Sequence, residues 1–389
     1  MHQGFTYRAL LVSASALLMI GVGACGSSSG GSGSSSGGTI NVGIIAGLTG
    51  EDSSFTSPFI NGADLAVKAI NDKGGISGRK VALVTEDSTS TVTGTLQAAT
   101  TLMAVKHAPT MICVCTSSEF IPLVTQVAHA EAHTPTKTLL VNGEAGVTTI
   151  TQLARVFVSP EELDGALATT LVKQAWGNGA RRVWVLSQSD AYGVDLNTQL
   201  IKAWKALAPQ GAVVLGDTVL TPGQPSYTDQ MVQINAAKPQ AILNGSYESQ
   251  EPLAFKELTA LGSKAPFYDL YYSNSTISSL PDSTGRGFGI QPAYDPSTDA
   301  AFASSYQSAY KTAPNMFSAQ GYDDIWLSAL AVAHGKATSI QSLLNAYVSE
   351  AQSFKTGVDG KYEFQDFDRV NAPISVAAVK NGKWVVLPS

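Results

Sequence analysis

The 389-residue sequence has little charge, no excess of basic residues and few cysteines. Charged residues make up 14% of the chain, and 24 Lys and Arg stand against 30 Asp and Glu, for a formal net charge of -6. A protein with a negative net charge lacks the positive electrostatic field that attracts a nucleic-acid backbone or an anionic membrane surface. Nucleic acid is therefore not an expected partner. The hydrophobic content of 44% also excludes a disordered chain.

Long apolar runs are absent after residue 24, so no later segment reaches the roughly 20 residues needed to span a bilayer. Arg8 precedes a shorter apolar stretch, residues 9–23, with the length and position of the core of a secretory signal peptide. Small residues then lead to Cys25, a pattern that resembles the lipidation site of bacterial lipoproteins, and residues 26–38 are all Gly or Ser. We therefore predict a signal peptide over 1–24, lipidation at Cys25 and a flexible tether over 25–38 that holds an extracytoplasmic domain at the cell membrane.

Only two cysteines, Cys113 and Cys115, follow Cys25. The apolar run 111–115 reads as a buried strand, whose alternation puts both thiols on one face. A disulfide that spans a single residue of an extended strand would be strained, so we expect two reduced, buried thiols. The sequence has no CxxC or Cys/His spacing typical of metal sites, and neither a metal nor a cofactor is expected.

The remaining chain alternates between strand and helix patterns. Predicted strands cover residues 39–46, 80–86, 111–115, 138–141, 182–186, 212–219, 241–244 and 266–270, and predicted helices 58–72, 92–105, 164–176, 194–207, 227–237, 249–261, 317–335 and 339–351. Such units form parallel sheets covered by helices on both faces. The remaining chain of about 350 residues is longer than a domain with one such sheet usually requires. We therefore predict an α/β fold of two doubly wound, Rossmann-like lobes with a ligand at the carboxyl ends of the strands. Asn381-Gly382 between two apolar runs predicts a terminal hairpin.

Several segments carry a family resemblance. They include Gly-Leu-Thr-Gly at 47–50, the run 61–71, Gly-Gly-Ile-Ser-Gly at 74–78, Thr-Ser-Ser at 116–118, Asp-Ala-Tyr-Gly at 190–193, Gly-Tyr-Asp-Asp at 321–324 and the run 359–364. In order and spacing they resemble type I periplasmic binding proteins, and most of all the leucine/isoleucine/valine-binding subgroup, over nearly all of residues 39–389. The resemblance implies two lobes joined by three hinge crossovers near 160, 290 and 360. The first lobe would comprise 39–160 with 291–360, and the second 161–290 with 361–389.

The resemblance also implies the binding residues. The loop Thr116, Ser117 and Ser118 would hold a ligand carboxylate, although Ser118 can alternatively be a simple helix N-cap. The next strand end would offer Ala145. From the second lobe, aromatic walls are implied at Tyr192 and Tyr247, and the further candidates are Tyr271, Tyr272 and Tyr322.

One departure bears on specificity. The subgroup's acidic partner for a ligand ammonium aligns with residues 271–274, where no carboxylate stands. Glu119, Glu144, Glu248 or Asp269 can take its place, or each can be an ordinary solvated carboxylate. A ligand without an amino group, such as a small acid or an amide, fits the sequence equally well.

The resemblance implies the substrate-binding lipoprotein of an ABC importer, a monomer that closes on a small solute and delivers it to the permease subunits. The alternative is a sensory receptor of the same fold that reports its ligand to a signalling partner. An enzyme is not expected, because no nucleophile and base are placed together.

Overall fold

The computed structural model describes residues 38–135, 137–247, 250–272, 285–297, 299–335, 338–355 and 357–387. The predicted signal peptide, Cys25 and the tether up to residue 37 lie outside these residues. Within them the chain forms two mainly parallel sheets, each flanked by helices, and the predicted α/β fold class is confirmed. No helix in the described part of the chain is long and apolar enough to cross a membrane.

The first sheet has five parallel strands in the order β2-β1-β3-β4-β5. Its strands are β1 Ile40–Ala46, β2 Val81–Asp87, β3 Thr110–Val114, β4 Leu139–Asn142 and β5 Phe157–Val158. In β1 the side chains of Ile40, Val42, Ile44 and Ile45 are all fully buried. Burial of successive residues on both faces is what a parallel strand between two helical layers requires.

The second sheet has seven strands in the order β14-β13-β10-β9-β8-β6-β7. Strands β6 to β10 pair in parallel, whereas β13 and β14 add an antiparallel hairpin to one edge. The strands are β6 Arg182–Gln188, β7 Val213–Leu220, β8 Ala241–Gly245, β9 Phe267–Leu270, β10 Gly287–Pro292, β13 Ile374–Lys380 and β14 Lys383–Val386. Asn381 and Gly382 turn this hairpin with positive φ angles of 52° and 69°, as the sequence predicts.

Ten described helices cover the sheets. They are α1 Ser53–Asp72, α2 Val92–Thr100, α3 Ser117–His133, α4 Asp164–Gly177, α5 Ala191–Lys205, α6 Thr228–Ala237, α7 Glu251–Ala260, α8 Ala300–Tyr310, α9 Met316–His334 and α10 Ile340–Ser353. Helices α1 and α9 cross so closely that a Cβ atom on Gly62 would overlap the Ser318 carbonyl, and one on Gly321 would overlap the Phe59 carbonyl. This backbone contact requires glycine on both helices.

The chain passes between the two sheets three times: after β5, after β10, and after α10 through the short hairpin of β11 Phe364–Gln365 and β12 Asp368–Arg369. The first and third passages touch, because Ser159 bridges to Asp368. Three crossovers between two doubly wound lobes agree with the predicted architecture. We call the lobe built on the first sheet the N-lobe and the lobe built on the second sheet the C-lobe.

The prediction of two reduced thiols is wrong. Cys113 and Cys115 form a disulfide, with their Cα atoms 5.3 Å apart. The expectation assumed that both residues lie in an extended strand, but β3 ends at Val114 and the chain turns toward α3 at Cys115. This turn brings the two Cα atoms within the ordinary range for a disulfide.

Candidate functional site

The first polar segment of the site follows strand β3. Thr116 is the N-cap of α3, and the carboxylate of Glu119, three residues later, accepts hydrogen bonds from the Thr116 backbone N–H and hydroxyl, both at 2.9 Å. Helix α3 therefore begins at Ser117, and Ser118 lies in its first turn. The alternative that Ser118 only caps the helix is wrong, because Thr116 holds that position. The Ser118 hydroxyl instead accepts a hydrogen bond of 3.2 Å from the backbone N–H of Ala191, in the C-lobe.

The second segment follows strand β4. The buried Asn142 side chain accepts from the Ala145 N–H at 2.9 Å and donates to the Ala145 carbonyl at 2.7 Å and to the Ser159 hydroxyl at 2.8 Å. These bonds fold residues 142–145 into a turn and occupy both backbone groups of Ala145. The turn places Glu144 beside the C-lobe, and its Oε2 atom is buried without a hydrogen-bond partner among the described residues.

Three tyrosines of the C-lobe form an aromatic wall. The rings of Tyr192 and Tyr247 stack with centroids 5.0 Å apart, and Tyr271 lies 6.5 Å from Tyr192. Tyr271 has a φ of 56°, a left-handed conformation that is costly for an aromatic residue and recurs at binding sites. Its hydroxyl donates to Asp164 Oδ1 at 3.4 Å.

The structure does not bring the other two predicted tyrosines to this wall. Tyr272 packs on Trp384, with centroids 4.8 Å apart, and its hydroxyl lies 3.3 Å from the Ser375 hydroxyl in the terminal hairpin. Tyr322 packs against Phe302 in a separate apolar cluster, with centroids 4.9 Å apart. No sequence pattern indicated the first difference, because both tyrosines follow the end of β9 at Leu270 and lie outside any regular strand.

The two lobes are in direct polar contact around these segments. Besides the Ser118–Ala191 bond, the N–H and hydroxyl of Thr148 donate to the Asp195 carboxylate at 2.8 and 3.0 Å, and the Asp164 N–H donates to the Gly146 carbonyl at 2.8 Å. Thr148 and Gly146 belong to the N-lobe, whereas Asp164 and Asp195 belong to α4 and α5. The structure is therefore a closed arrangement in which the two lobes meet.

Carboxylates dominate the electrostatics of this closed region. Burial, reinforced by the negative charge of Asp195, raises the pKa of Asp164 to about 7. Burial, reinforced by Glu119, likewise raises the pKa of Asp52 to about 7. Burial and then the charges of Asp164 and Asp52 raise the pKa of Glu144 well above its usual value. The same desolvation, with Asp164 as the next cause, raises the pKa values of Tyr192 and Tyr271.

Of these groups, sequence reasoning named Glu144 only among several substitutes and missed Asp52 and Asp164. Asp164 is the first residue of α4 and fully buried. A charged residue at a helix start is ordinarily a solvent-exposed partner of the helix dipole, so its position in sequence gave no sign of burial.

Two doubly wound lobes that close on each other over hydroxyls, carboxylates and stacked tyrosines define a type I periplasmic binding protein. In agreement, the profile of the periplasmic binding protein family matches residues 39–383, and the chain belongs to that family. It is 26% identical over 230 residues to the Leu/Ile/Val-binding protein BraC3 of Rhizobium johnstonii, a match that covers 58% of this chain and 59% of that protein.

Solved structures show the same fold. The leucine-binding protein LivK of Thermotoga maritima is 20% identical, with a TM-score of 0.78 over 90% of this chain and 98% of that one. The branched-chain amino acid binding protein LivJ of Streptococcus pneumoniae, in complex with isoleucine, is 18% identical, with a TM-score of 0.75 over 90% of this chain and 99% of that one. At these identities the likeness establishes the architecture of the chain.

Proposed function

We propose that this protein is the extracytoplasmic substrate-binding lipoprotein of an ABC importer, which binds a small solute between its lobes and delivers it to a permease. The observation that carries the proposal is the closed contact of the lobes over buried polar groups, through Ser118, Gly146 and Thr148 on one side and Ala191, Asp164 and Asp195 on the other. A solute that touches both lobes binds the closed form better than the open form, and this difference in affinity drives closure.

The predicted leader and tether support a place outside the cytoplasm. Lipidation at Cys25 and the Gly/Ser segment up to residue 38 would keep the binding domain near the membrane and free to rotate. A permease in the same membrane would then meet the closed, loaded form. The lobe limits of 39–160 with 291–360 and 161–290 with 361–389 remain part of this proposal.

The proposed solute is a small compound with a carboxylate or amide, of the class to which branched-chain amino acids belong. Its carboxylate would lie at Thr116, Ser117 and Ser118, at the start of α3, where the first turn of the helix has N–H groups without a partner inside the helix. Ser118 accepts one hydrogen bond from Ala191 and can still donate its own proton. Ala145, Tyr192 and Tyr247 would line the rest of the site. The named relatives bind leucine, isoleucine or valine, which supports this class.

A thermal-shift screen of the purified full-length protein, freed of co-purified ligand, tests the proposal. The panel comprises amino acids, short aliphatic and aromatic acids, amides and sugars. A solute at 100 times its dissociation constant adds about 2.7 kcal/mol to the free energy of unfolding, a shift of a few degrees. Solution scattering with and without that solute should show a smaller radius of gyration when it is bound. A panel without any stabilising compound, or a hit that leaves the scattering unchanged, contradicts the proposal.

A further inference from the structure

We propose that Asp52 and Glu119 share one buried proton, and that this proton positions the loop of Thr116, Ser117 and Ser118 against which the solute lies. The inference rests on the proposed function, because it assumes that a solute binds at that loop. It adds Asp52 as a positioning residue, which acts on the loop through Glu119, and it makes solute binding depend on pH.

Glu119 is the residue that holds the loop in place. Its two carboxyl oxygens accept three hydrogen bonds, from the Thr116 backbone N–H and hydroxyl, both at 2.9 Å, and from the Thr95 hydroxyl at 3.0 Å. Thr95 lies in α2, whereas Thr116 caps α3, so one buried side chain fixes the beginning of α3 against the neighbouring helix. Three donors around a buried carboxyl group favour its ionised form, which only accepts hydrogen bonds.

Asp52 immediately precedes α1, in the position where an aspartate ordinarily accepts a hydrogen bond from the first turn of its helix. Its side chain makes no such bond. The Asp52 backbone N–H donates to the Ser90 hydroxyl at 3.1 Å, and a Cβ atom on Gly47 would lie 3.2 Å from Asp52 Oδ2, so the carboxyl group packs just beyond the end of β1. There it hydrogen-bonds with the carboxyl group of Glu119 on α3.

This contact between two carboxyl groups requires a proton. Two ionised carboxylates cannot hydrogen-bond to each other, because each of them is only an acceptor. Both oxygens of Glu119 have donors, whereas Asp52 Oδ2 is buried and no donor among the described residues reaches it. The proton therefore belongs on Asp52, which donates it to Glu119. Like charges in contact keep such a pair from ionising fully at the pH where a single carboxyl group does.

The neighbouring elements carry negative charge around this pair. In the described part of the chain, the charged groups that act on Asp52 are Glu119 on α3 and Glu51 beside it, and Asp52 itself acts on Glu144 in the turn after β4. Asp87, which ends β2, hydrogen-bonds to the loop that carries Asp52. All of these groups are carboxylates. Burial, and then the charge of Glu119, raises the pKa of Asp52 to about 7, so the proton is lost in mildly alkaline solution.

Loss of the proton should disturb the binding loop. Two ionised carboxylates in contact repel each other, and one of them, Glu119, holds Thr116 in place. The added negative charge also lies beside the first turn of α3, where it weakens the attraction of the helix terminus for a solute carboxylate. Solute binding should therefore be strongest while Asp52 is protonated and should weaken as the pH rises above 7.

Titration calorimetry of the full-length protein with leucine, from pH 6 to pH 8.5, tests the proposal. The affinity of the wild-type protein should fall about fivefold or more over this range. Asp52→Ala, which has no donor towards Glu119, should lower the affinity at pH 6 about fivefold. Asp52→Asn, whose amide donates to Glu119 at every pH, should recover most of that loss and should fall with pH at least threefold less than the wild type. Glu144 and Asp164 remain in every variant, so the difference in pH dependence reports Asp52.

Asp229→Asn is the matched control, because Asp229 also lies at a helix start but is exposed. Its affinity for leucine should follow that of the wild type at each pH. A fall of affinity with pH that Asp52→Asn keeps in full would overturn the shared proton, and so would an equal affinity of Asp52→Ala and Asp52→Asn at pH 6. Both of these outcomes leave the proposed function intact, because leucine still binds.

A measurement without any solute keeps the proposal falsifiable if leucine is not the cargo. The folded protein retains the shared proton between pH 4 and 7, whereas the unfolded chain releases it. The thermal midpoint of the wild type should therefore fall relative to that of Asp52→Asn as the pH rises from 5 to 8. A difference in midpoint that stays constant over this range would overturn the shared proton. If no compound of the wider screen binds the wild-type protein, the proposed function itself fails.

Discussion

The backbone N–H of Ala191, the first residue of α5 in the C-lobe, donates a 3.2 Å hydrogen bond to the hydroxyl of Ser118 in the N-lobe. This bond joins the first turns of two helices that face each other across the interface between the lobes. Because it exists only when the lobes meet, its energy adds to the stability of the closed form alone. Ser118 therefore couples closure to the segment where the solute carboxylate is proposed to lie.

Replacing Ser118 by Ala should weaken solute binding through the closed state. Loss of the hydrogen bond from Ala191, about 1 kcal/mol, should lower the population of the closed form and the apparent affinity about fivefold, and loss of the proposed bond from the Ser118 hydroxyl to the solute carboxylate should lower the affinity further. Thr125→Ala is the matched control, since Thr125 lies on the same helix, is exposed, and only bonds to the Ile121 carbonyl. Leucine titration by calorimetry measures both variants. Equal affinity of Ser118→Ala and wild type would show that this bond does not stabilise closure.

The Cys113–Cys115 disulfide should be present in the exported protein. Alkylation under denaturing, non-reducing conditions, followed by mass spectrometry, should find both cysteines protected. In the chain-entropy account a bridge over so short a loop stabilises by only about 1–2 kcal/mol, because little freedom of the unfolded chain is removed. The double variant Cys113→Ala with Cys115→Ala should therefore fold and lose about that much free energy of unfolding in urea. Two alkylated cysteines in the protein purified without reductant would contradict this assignment.

The elements that sequence patterns predicted correctly are those with strong apolar periodicity. Strand β1 alternates Ile40, Val42 and Ile44, and α9 has a continuous buried face, so both are clear in the sequence. Strand β10 and helix α8 were not predicted. Two glycines, Gly287 and Gly289, weaken the strand signal of β10, and α8 buries only two residues, Phe302 and Tyr306.

Residues of the candidate site could be predicted from the sequence only where the resemblance to the family places them directly after a strand. Tyr192 and Tyr247 follow the carboxyl ends of β6 and β8, where an α/β lobe binds its ligand, and they stack on each other. Asp164 lies far from Glu144 in sequence, and a hydrogen bond between lobes, from its N–H to Gly146, brings it to the site. No local pattern records such a contact, because it depends on how two separately folded lobes meet.

The free energy of unfolding of the protein should fall as the pH rises from about 4 to about 7. Burial raises the pKa values of Asp164, Asp269 and Asp323 from 3.8 to about 7 in the folded protein. Below pH 4 these carboxyls are protonated in both states; between pH 4 and 7 the unfolded chain releases protons that the fold retains; above pH 7 both states are ionised. Each group therefore contributes a loss of up to about 1.4 kcal/mol per pH unit in that window.

Calorimetric unfolding at pH 5, 6, 7 and 8 measures this dependence, with the highest thermal midpoint expected at pH 5. Asp164→Asn removes one of the titrating groups and should make the fall of the thermal midpoint with rising pH less steep. The neighbouring carboxyl groups of Asp52, Glu144, Asp190 and Asp195 remain in this variant, so part of the fall should persist. Exposed Asp229→Asn should follow the wild-type curve. A midpoint that rises from pH 5 to pH 8 would mean that these buried carboxyls are stabilised in their ionised form.

Replacing Arg369 by Met should destabilise the protein far more than replacing Arg155 by Met. Both arginines form ion pairs at the hairpin of β11 and β12, where the chain crosses between the lobes for the third time, Arg369 with Asp359 and Arg155 with Asp368. The Arg369 side chain is fully buried and also donates to the carbonyls of Asp359 and Lys361 at 2.8 and 2.9 Å, whereas Arg155 is 24% exposed. Loss of Arg369 leaves a buried carboxylate uncompensated, which costs about 3–5 kcal/mol, while the partly hydrated pair of Arg155 contributes about 1 kcal/mol.

Urea unfolding measures the loss of free energy of unfolding in both variants, and addition of Asp359→Asn to Arg369→Met should recover part of the larger loss. Equal losses of unfolding free energy in the two variants would contradict this prediction. They would show that the buried Arg369–Asp359 ion pair stabilises the protein no more than the partly exposed Arg155–Asp368 pair does.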